Sequence, residues 1–554
     1  MTTRSSSISN MHQHNYDTPS TLEQMIILKY DGLSSYQRPR TLLNLLRTNA
    51  VPSSMEVGIL KGSLFHVQND IRRIVADLNR LSSDGDVEMF DHDVSRQLHN
   101  RLVLLEEIER DHRLPLLPIR RIPPEILMEI FLCTASFSGN VLNTNSAPWV
   151  IGQVCSSWRS ICNSMCPSLW SSIDIFANDR FMRKKDPRSL LGTVLSRSRQ
   201  YGLAIRLSSS IEPTIWEELL PHAERWTNIH LTDIGQPEMG YLSHLRGRLE
   251  RLQDCYLEFA CEGLEIINVF DHTLALKKIK VYGLEPDTLF LIASTNLEVF
   301  VDDRDEWLPS ASLVHYHLLK VLQDSPNLTC FYAPYCSRVT STAGRAVFPR
   351  IVKPSLSELT VCDNSLIRSL SLPRLEVAAL FNDYCLDLAD CLSDFQDMLV
   401  QSQCNTLTTL QVFNIRLRPG NLVRIFKLSP ALVSFYYQTH EWEAQNDEAL
   451  QGVIGGLFNS QEFVPQLKDV VLELALFSET DIHCANHRMV EMIVARRGSS
   501  LRKFHLAATV PDKGFCDLGE GDIERLRNIK AEGFDVAITS CGSLDVDNRK
   551  HIYV

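Results

Sequence analysis

The chain has 554 residues, of which 44% are hydrophobic and 22% are charged. This is ordinary globular composition, and the length predicts about two to four domains. The formal net charge of −12 argues against a nucleic-acid partner, because phosphate binding needs a basic surface.

Three further features bear on location. No apolar run approaches the roughly 18 residues that a membrane-spanning helix requires, so we expect no membrane segment. The N-terminus is polar and has no apolar core of a secretory signal. The 15 cysteines are scattered without a short-spaced framework, which favours reduced thiols. We therefore expect a cytoplasmic and/or nuclear protein.

Residues 1–53 contain few apolar clusters, and we expect them to be mostly disordered or weakly structured. Residues 54–114 are more regular: an unbroken apolar seam with steps of three and four predicts a helix. The seam consists of Val57, Leu60, Leu64, Val67, Ile71, Ile74, Leu78 and Leu81. A turn near Gly85 separates it from a second apolar-striped helix. The pattern predicts an antiparallel hairpin that either packs on itself or forms a coiled-coil arm of a homodimer.

Residues 115–176 carry the most specific pattern. Pro123 and Pro124 suit the first turn of a helix, where the backbone N–H groups have no partner, and Glu125 complements the positive helix end. Apolar residues then recur at helical spacing in two short helices. A module of this size has a marginal core. Its surplus apolar face therefore needs either the rest of the chain or a partner.

Three submotifs of this segment occur in order: Ile-Pro-Pro-Glu-Ile-Leu from Ile122, Val-Cys-Ser-Ser-Trp-Arg from Val154, and Pro-Ser-Leu-Trp from Pro167. Together they resemble the F-box of fungal F-box-like proteins. The resemblance implies docking to a Skp-type adaptor and, through it, to a cullin–RING ubiquitin ligase. The adaptor-binding residues it implies are Ile122, Pro123, Glu125, Ile126, Leu127, Ile130, Phe131, Val150, Val154, Cys155 and Trp158.

From residue 187 to residue 554 the chain repeats Leu-x-x-Leu-x-Leu or a close variant. Eleven copies begin between Trp226 and Leu501, at intervals of 19 to 35 residues. These intervals lie near the range of leucine-rich repeats, although the asparagine expected after each strand is mostly missing. We expect an irregular leucine-rich-repeat-like α/β solenoid, with an irregular α/β domain as the alternative. The fold class is thus α/β with an all-α N-terminal part.

The repeat places its x positions on one shared face of the predicted sheet. Aromatic residues at such positions are candidate anchors for a partner, and we select Tyr256, Tyr332 and Tyr436 as substrate-binding residues. Trp307 and Trp442, within acidic loops, are further candidates.

Motifs of known catalysis are missing from the sequence: it has no P-loop, no Gly-x-Ser-x-Gly and no Gly-x-Gly-x-x-Gly. His483, Cys484 and His487 lie close together, but no second pair of ligands accompanies them. We therefore expect no enzyme activity, no cofactor and no metal. The predicted function is that of a substrate-recognition adaptor for an unknown protein substrate. The alternative is a scaffold protein without ligase function, in which the F-box-like helices are structural.

Overall fold

The computed structural model describes most of the chain in fourteen segments. These are residues 38–83, 91–134, 141–176, 186–208, 211–260, 263–292, 295–304, 312–335, 350–382, 391–440, 442–475, 482–509, 517–541 and 550–552. The expectations for residues 1–37 and for Trp307 lie outside them. The chain divides into two compact units, a helical unit and a sheet unit. The helical unit is Met1–Ser138 with Thr144–Leu169, and the sheet unit is Gly139–Asn143 with Trp170–Val554.

Six α-helices are described in the helical unit. They are α1 (Arg40–Thr48), α2 (Ser54–Ser83), α3 (Asp91–Arg113), α4 (Pro124–Cys133), α5 (Ala147–Val154) and α6 (Ser156–Met165). Helices α2 and α3 match the predicted hairpin. Two short 3-10 turns, Leu114–Leu116 and Pro118–Arg121, lead from α3 to α4.

The apolar seam of α2 is covered within the chain itself. Val67, Ile74 and Leu78 pack in one core with residues of α3, and Leu60 packs with Leu42 of α1. The buried His112 bridges the two long helices, because its Nδ1 contacts the Ile108 carbonyl at 2.8 Å and its Nε2 contacts Ser63 Oγ at 3.0 Å. The seam is thus used in intramolecular packing, and a homodimer through the hairpin stays a prediction.

Polar contacts fix α1 and the chain entering α4. Arg38 pairs with Asp111 at 2.6 Å and with Glu107 at 3.1 Å, which ties the start of α1 to the end of α3. Arg120 donates to the carbonyl of Leu45 at 2.8 Å. The segment just before α4 is therefore held to the C-terminal end of α1.

Helices α4 to α6 form a small packed group. Phe131 of α4 lies against the ring of Trp158 of α6, with 5.0 Å between ring centroids. Arg159 of α6 donates to the carbonyl of Gly152 in α5 at 2.7 Å. Cys155 separates α5 from α6, and its thiol accepts a hydrogen bond from the backbone N–H of Trp158 at 3.4 Å. That contact caps the start of α6.

We predict that Ile74→Ala lowers the free energy of unfolding of the helical unit by about 2–5 kcal/mol, because Ile74 is fully buried between α2 and α3 and truncation leaves a cavity. Ile59→Ala is the matched control: Ile59 is half exposed on the same helix and should change stability by no more than about 0.5 kcal/mol. Denaturant unfolding monitored by circular dichroism measures both. Equal effects of the two variants would contradict the intramolecular packing of the seam.

The sheet unit is built on one large sheet whose strands follow each other in chain order. Its strands are β1 (Ser172–Ile175), β2 (Leu203–Leu207), β3 (Trp226–Ile234), β4 (Asp254–Phe259), β6 (Lys278–Tyr282), β8 (Val299–Asp303), β9 (Cys330–Ala333), β11 (Glu358–Val361), β13 (Val377–Phe381), β14 (Thr409–Phe413), β15 (Ser434–Thr439), β16 (Asp469–Ala475), β17 (Lys503–Thr509), β18 (Asp535–Cys541) and β19 (Lys550–Ile552). All neighbours pair in parallel except β18 and β19, which are antiparallel.

Shorter elements connect these strands. Two small parallel pairs are described, β5 (Ile266–Ile267) with β7 (Leu289–Phe290), and β10 (Ile351–Val352) with β12 (Leu370–Ser371). The helices described in this unit are α7 (Pro187–Ser198), α8 (Pro213–Leu219), α9 (Gln236–Ser243), α10 (Ser312–Asp324), α11 (Asn364–Ser369), α12 (Cys391–Ser402), α13 (Asn421–Leu428), α14 (Ala444–Asn459), α15 (His487–Arg497) and α16 (Glu520–Ala531). The unit is therefore mixed α/β, as predicted.

Burial alternates along most of the described strands, with exceptions such as β8 and β13, in which three consecutive residues are buried. The sheet therefore has one buried face and one open face. In β4, for example, Cys255, Leu257 and Phe259 are buried, whereas Tyr256 and Glu258 are only partly covered. The eleven predicted repeats correspond to eleven of these strands, and their apolar positions are buried. Two predictions need correction. Ser172–Ile175, assigned to the F-box-like segment 115–176, is the first strand of the sheet, and strands β1, β2, β18 and β19 extend the sheet beyond the predicted copies.

Candidate protein-binding surfaces

The first candidate surface is a set of exposed apolar side chains on α4 and α5. Ile126 is 52% exposed and Ile130 47% exposed, and they lie four residues apart on one face of α4. Val150 and Val154 have the same spacing on α5 and are 48% and 55% exposed. Apolar side chains on two adjacent short helices are thus left in contact with water, which is typical of a surface that binds another protein.

The other predicted residues of this segment have different positions. Leu127 and Phe131, which the resemblance also implies as adaptor-binding residues, are buried. Since these two side chains alternate with Ile126 and Ile130 around α4, they supply the core. Trp158 and Cys155 are partly buried and link α5 to α6.

The N-terminal positions of the segment complete the surface. Pro123 and Glu125 are exposed at the start of α4, and Ile122 is half-buried. Sequence reasoning missed two further exposed residues, Leu117 and Ile119, in the turns before α4. The sequence feature that indicates this exposure is the pair of prolines Pro115 and Pro118. They interrupt the helix and turn these apolar side chains outward.

The second candidate surface is the open face of the sheet. Its central register row runs across the strands and includes all three predicted tyrosines. In strand order the row is Asp174, Arg206, His230, Tyr256, Lys280, Val301, Tyr332, Thr360, Ala379, Gln411, Tyr436, Val471, His505 and Ala537. The tyrosines are half-buried among neighbouring side chains. The structure thus places the three tyrosines on one face of the sheet, as the repeat pattern predicts.

A concavity of about 390 Å³ lies on the open face at strands β1, β2, β3, β4 and β6. Its wall includes the rings of His230 and Tyr256, which stack with centroids 4.0 Å apart and planes 3° from parallel. Tyr282 continues this aromatic row, 5.1 Å from Tyr256. Burial lowers the pKa of His230, and the nearby Arg206 lowers it further. The imidazole is therefore neutral at pH 7.

The concavity is lined by charged groups of both signs. Asp254 accepts a hydrogen bond from Asn228 at 2.6 Å, and Asp174 lies 3.9 Å from Arg206. Lys278 and Lys280 are exposed, two residues apart on β6, and so point to the same side of the sheet. Lys278 lies opposite Asp254 in the strand register, and Glu258 and Glu358 also face outward on neighbouring strands. This end of the open face therefore carries charges of both signs.

A second aromatic group lies farther along the open face. Phe381 and Phe413 stack with centroids 4.3 Å apart, and Tyr436 follows 5.2 Å from Phe413. Both phenylalanines are half-buried, so their outer surfaces are accessible. Tyr436 Oη donates to Glu473 Oε2 at 2.6 Å, which leaves the phenolic oxygen engaged and the ring face apolar. Trp442, a predicted anchor, is buried in the core instead.

The strands between the two groups present both apolar and acidic side chains. Val299 and Val301 of β8 and Val377 and Ala379 of β13 line this part of the open face, and Val301 and Ala379 are buried by their neighbours. Tyr332 lies in the middle. Burial raises the pKa of Tyr332 to about 12, with a further contribution from Asp303. Asp303 of β8 and Glu358 of β11 also face outward here, so this part of the open face combines apolar side chains with carboxylates.

A buried ion pair closes the end of strands β8 and β9. Arg304 donates to Asp302 at 2.8 Å and to the carbonyls of Pro286 and Thr288 at 2.9 Å, and Tyr335 Oη donates to Asp302 at 2.8 Å. Asp302 interrupts the apolar repeat pattern of the sequence. Its carboxylate is tolerated in the core because Arg304 and Tyr335 satisfy it.

His317 of α10 is buried close to this ion pair, and burial lowers its pKa to about 4. The unfolded chain, with a pKa near 6.5, therefore binds a proton that the folded chain excludes. The free energy of unfolding is therefore unaffected by His317 above about pH 6.5, and it decreases as the pH falls from there towards 4.

We predict that lowering the pH from 7.5 to 5 decreases the free energy of unfolding by about 2 kcal/mol through His317, because only the unfolded chain binds the proton. His317→Gln should remove that part of the pH dependence, and His272→Gln, at an exposed site, is the matched control. Denaturant unfolding at a series of pH values is the measurement. A variant at position 317 with the same slope as the wild type would contradict the assignment.

A serine, a histidine and an aspartate also meet at the start of α11. His315 Nε2 lies 3.1 Å from Ser365 Oγ, and His315 Nδ1 lies 2.9 Å from Asp363 Oδ2. A nucleophilic serine would donate its proton to the histidine. Here the hydroxyl donates to Asp363 Oδ1 at 2.6 Å, and the same carboxylate oxygen accepts the backbone N–H of Ser365. The geometry supports a role in capping α11.

The histidines considered as metal ligands are engaged with carboxylates. His483 contacts Asp517 at 2.7 Å, and His487 contacts Asp522 at 2.8 Å. Cys484 is buried, and burial raises the pKa of its thiol. Across the described segments, no group of three or more metal-ligating side chains is present. None of the helices described there is long and apolar enough to cross a membrane.

Comparisons with known proteins give no assignment. No family model matches the chain, and no curated protein matches it.

Proposed function

We propose that the chain is a substrate-recognition adaptor: α4 to α6 dock a Skp-type adaptor of a cullin–RING ubiquitin ligase, and the sheet unit binds a protein substrate. The observation that carries the proposal is the exposure of Ile126, Ile130, Val150 and Val154 on two helices. They lie within the segment that resembles an F-box. In this proposal the chain contributes binding surfaces, and ubiquitin transfer belongs to other subunits in the cytoplasm and/or nucleus.

The helical group is suited to this role because its core and its exposed face use different residues. Leu127, Phe131 and Trp158 hold the helices together. The exposed isoleucines and valines contribute little to that core. Burying apolar surface of this kind against a partner is favourable by roughly 25 cal/mol per Å², so an adaptor that covered the face would be retained.

For the sheet unit we propose a leucine-rich-repeat-like solenoid. Each strand neighbours the next in chain order, and a parallel sheet normally has both faces covered. Stacked repeats account for a parallel sheet with one open face, because each repeat adds its apolar side to a continuous core. The open face, with Tyr256, Tyr332 and Tyr436, is then the substrate surface.

We predict that Ile126→Glu with Ile130→Glu lowers retention of a recombinant Skp-type adaptor by at least about tenfold, because the charges would have to be buried in the complex. The fold should be kept, since both side chains are exposed. Co-purification with the full chain measures retention, and thermal unfolding checks the fold. Val103→Glu, at an exposed apolar site of α3, is the matched control and should leave retention unchanged.

The same experiment separates the proposal from the scaffold alternative. If the wild-type chain retains no adaptor, or if the double variant retains it at wild-type strength, the F-box assignment is wrong. The helices would then serve the structure of the unit alone.

A further inference from the structure

We infer that the outward face of α2 binds a second copy of this chain, with the two α2 helices antiparallel. The contact consists of Met55, Gly58, Gly62 and Phe65 from each copy, with Ile59 beside the glycines. The inference goes beyond the proposed function and does not depend on it, because this face belongs neither to α4–α6 nor to the open face of the sheet.

The outward face of α2 is apolar although the core face of the same helix already has its partners. Met55 is 76% exposed, Ile59 50% and Phe65 59%. On the core face, Val67 and Ile74 are buried against α3. The N-terminal half of α2 therefore carries a second apolar side that is in contact with water. Exposed apolar side chains concentrated on one helix face are typical of a surface that binds another protein.

Two glycines lie within this face, four residues apart on the helix. If a Cβ atom were added to Gly58 or Gly62, it would meet no atom of the described segments within 4 Å apart from its own stretch of helix. Glycine in a helix interior is less stable than alanine, and the packing of one copy gives no reason for glycine at either position. A second helix does, because two backbones approach closely where neither has a side chain between them.

The charges of α2 favour a second copy in the antiparallel direction. Residues 54–66 contain one glutamate and one lysine, so two such segments do not repel each other. Residues 67–83 contain three arginines and two aspartates, and Arg72 and Arg73 are exposed. A parallel pair would place these arginines beside the same arginines of the other copy, which is unfavourable. An antiparallel pair of the N-terminal halves leaves them outside the contact.

The sizes of the side chains set the register of the pair. Met55, Gly58, Gly62 and Phe65 follow each other in steps of three, four and three, which is the spacing of a helix–helix seam. We place the two-fold axis near residue 60. Each Met55 then meets Phe65 of the other copy, a thioether against an aromatic ring. Each Gly58 meets Gly62 of the other copy at the centre. The face is thus complementary to itself, which is why we assign a second copy as its partner.

The size of the contact predicts a weak dimer. If a large side chain in full contact with water has an area of about 150–200 Å², Met55, Ile59 and Phe65 expose roughly 300 Å² per copy. The overlapping segments, 54–66, are about 20 Å long, and with their polar atoms both copies together bury about 1,000 Å², the lower limit of a specific interface. We therefore expect a dissociation constant of about 10–100 µM. At a few micromolar the chain is then a monomer, and unfolding measurements describe one copy.

Sedimentation velocity of the full chain tests the inference at about 1 µM and at about 200 µM, below and above the expected dissociation constant. We expect the mass of one copy, 63.0 kDa, at the lower concentration. At the higher concentration the mass should approach twice that value. Because the contact is apolar, added salt should not weaken the dimer.

Variants of α2 locate the contact. Gly58→Gln with Gly62→Gln should weaken the dimer at least about tenfold, because two long polar side chains then occupy its centre. The same double variant should raise the thermal stability of the monomer, since glutamine favours a helix more than glycine does and meets open space here. A role of the glycines within one copy predicts the opposite change in monomer stability.

A second variant has a matched control on α3. Phe65→Gln should also weaken the dimer at least about tenfold. Val103→Gln removes an exposed apolar side chain of similar exposure from α3 and should leave the dimer unchanged.

Photo-cross-linking tests the direction of the helices. Benzoylphenylalanine replaces Phe65 in unlabelled chain, which is mixed with isotope-labelled wild-type chain. Irradiation should attach it to labelled residues around Met55. Attachment around Phe65 of the labelled chain would show a parallel pair and overturn the antiparallel arrangement.

A chain that stays monomeric at the higher concentration would overturn the inference. A dimer that persists in the glycine double variant, or an equal loss in the Val103→Gln control, would do so as well. Retention of the Skp-type adaptor should be unchanged in the glycine variant, because α4 and α5 are not altered. Failure to dimerise therefore leaves the proposed function standing, and failure to retain the adaptor leaves the dimer standing.

Discussion

The sheet unit depends on a single constraint: each short strand must satisfy its backbone polar groups through the next strand while burying every second side chain. In β14, for instance, Leu410 and Val412 enter the core, whereas Gln411 and Phe413 face outward. Repeating this alternation in parallel register brings outward residues from distant parts of the sequence into rows. Residues as far apart as Arg206 and His505 thereby share one surface.

The same separation between core and surface residues organises the helical unit. On α4, Leu127 and Phe131 face inward, and Ile126 and Ile130 face outward. A helix with apolar residues on more than one side cannot bury all of them against a few neighbours. The exposed apolar residues therefore follow from the sequence pattern itself, and they leave an apolar face of α4 open to contact with another protein.

The sequence predicted those features that depend on local periodicity. The α2 seam, the α3 stripe and the eleven Leu-rich strands all follow from spacing, and each has its predicted secondary structure. The division of α4 into inward and outward residues was harder, because Ile126 and Leu127 are adjacent and equally apolar. Only the position of Trp158 against Phe131 decides which side is the core. Strand β2 was missed because Gly202 occupies the position where the predicted copies have a large apolar residue. Strand β1 was missed because its apolar residues Trp170, Ile173 and Ile175 were assigned to the F-box-like segment.

The arrangement of residues on the open face could not be predicted from the sequence, for a different reason. Lys280 and Phe381 are separated by about a hundred residues, and the number of strands between them is fixed only when the pairing order is known. The Asp302 carboxylate was visible as a break in the pattern, but its partner Arg304 and the hydroxyl of Tyr335 come from tertiary packing. Such long-range contacts carry no periodic signal.

The central claim is that adaptor docking uses the exposed faces of α4 and α5 and leaves the open face of the sheet free. Hydrogen–deuterium exchange of the full chain, with and without a saturating Skp-type adaptor, tests this most directly. The account predicts slower amide exchange in 117–154 and unchanged exchange in the strands from β4 to β15. Unchanged exchange in the helices, or protection confined to the strands, would contradict it.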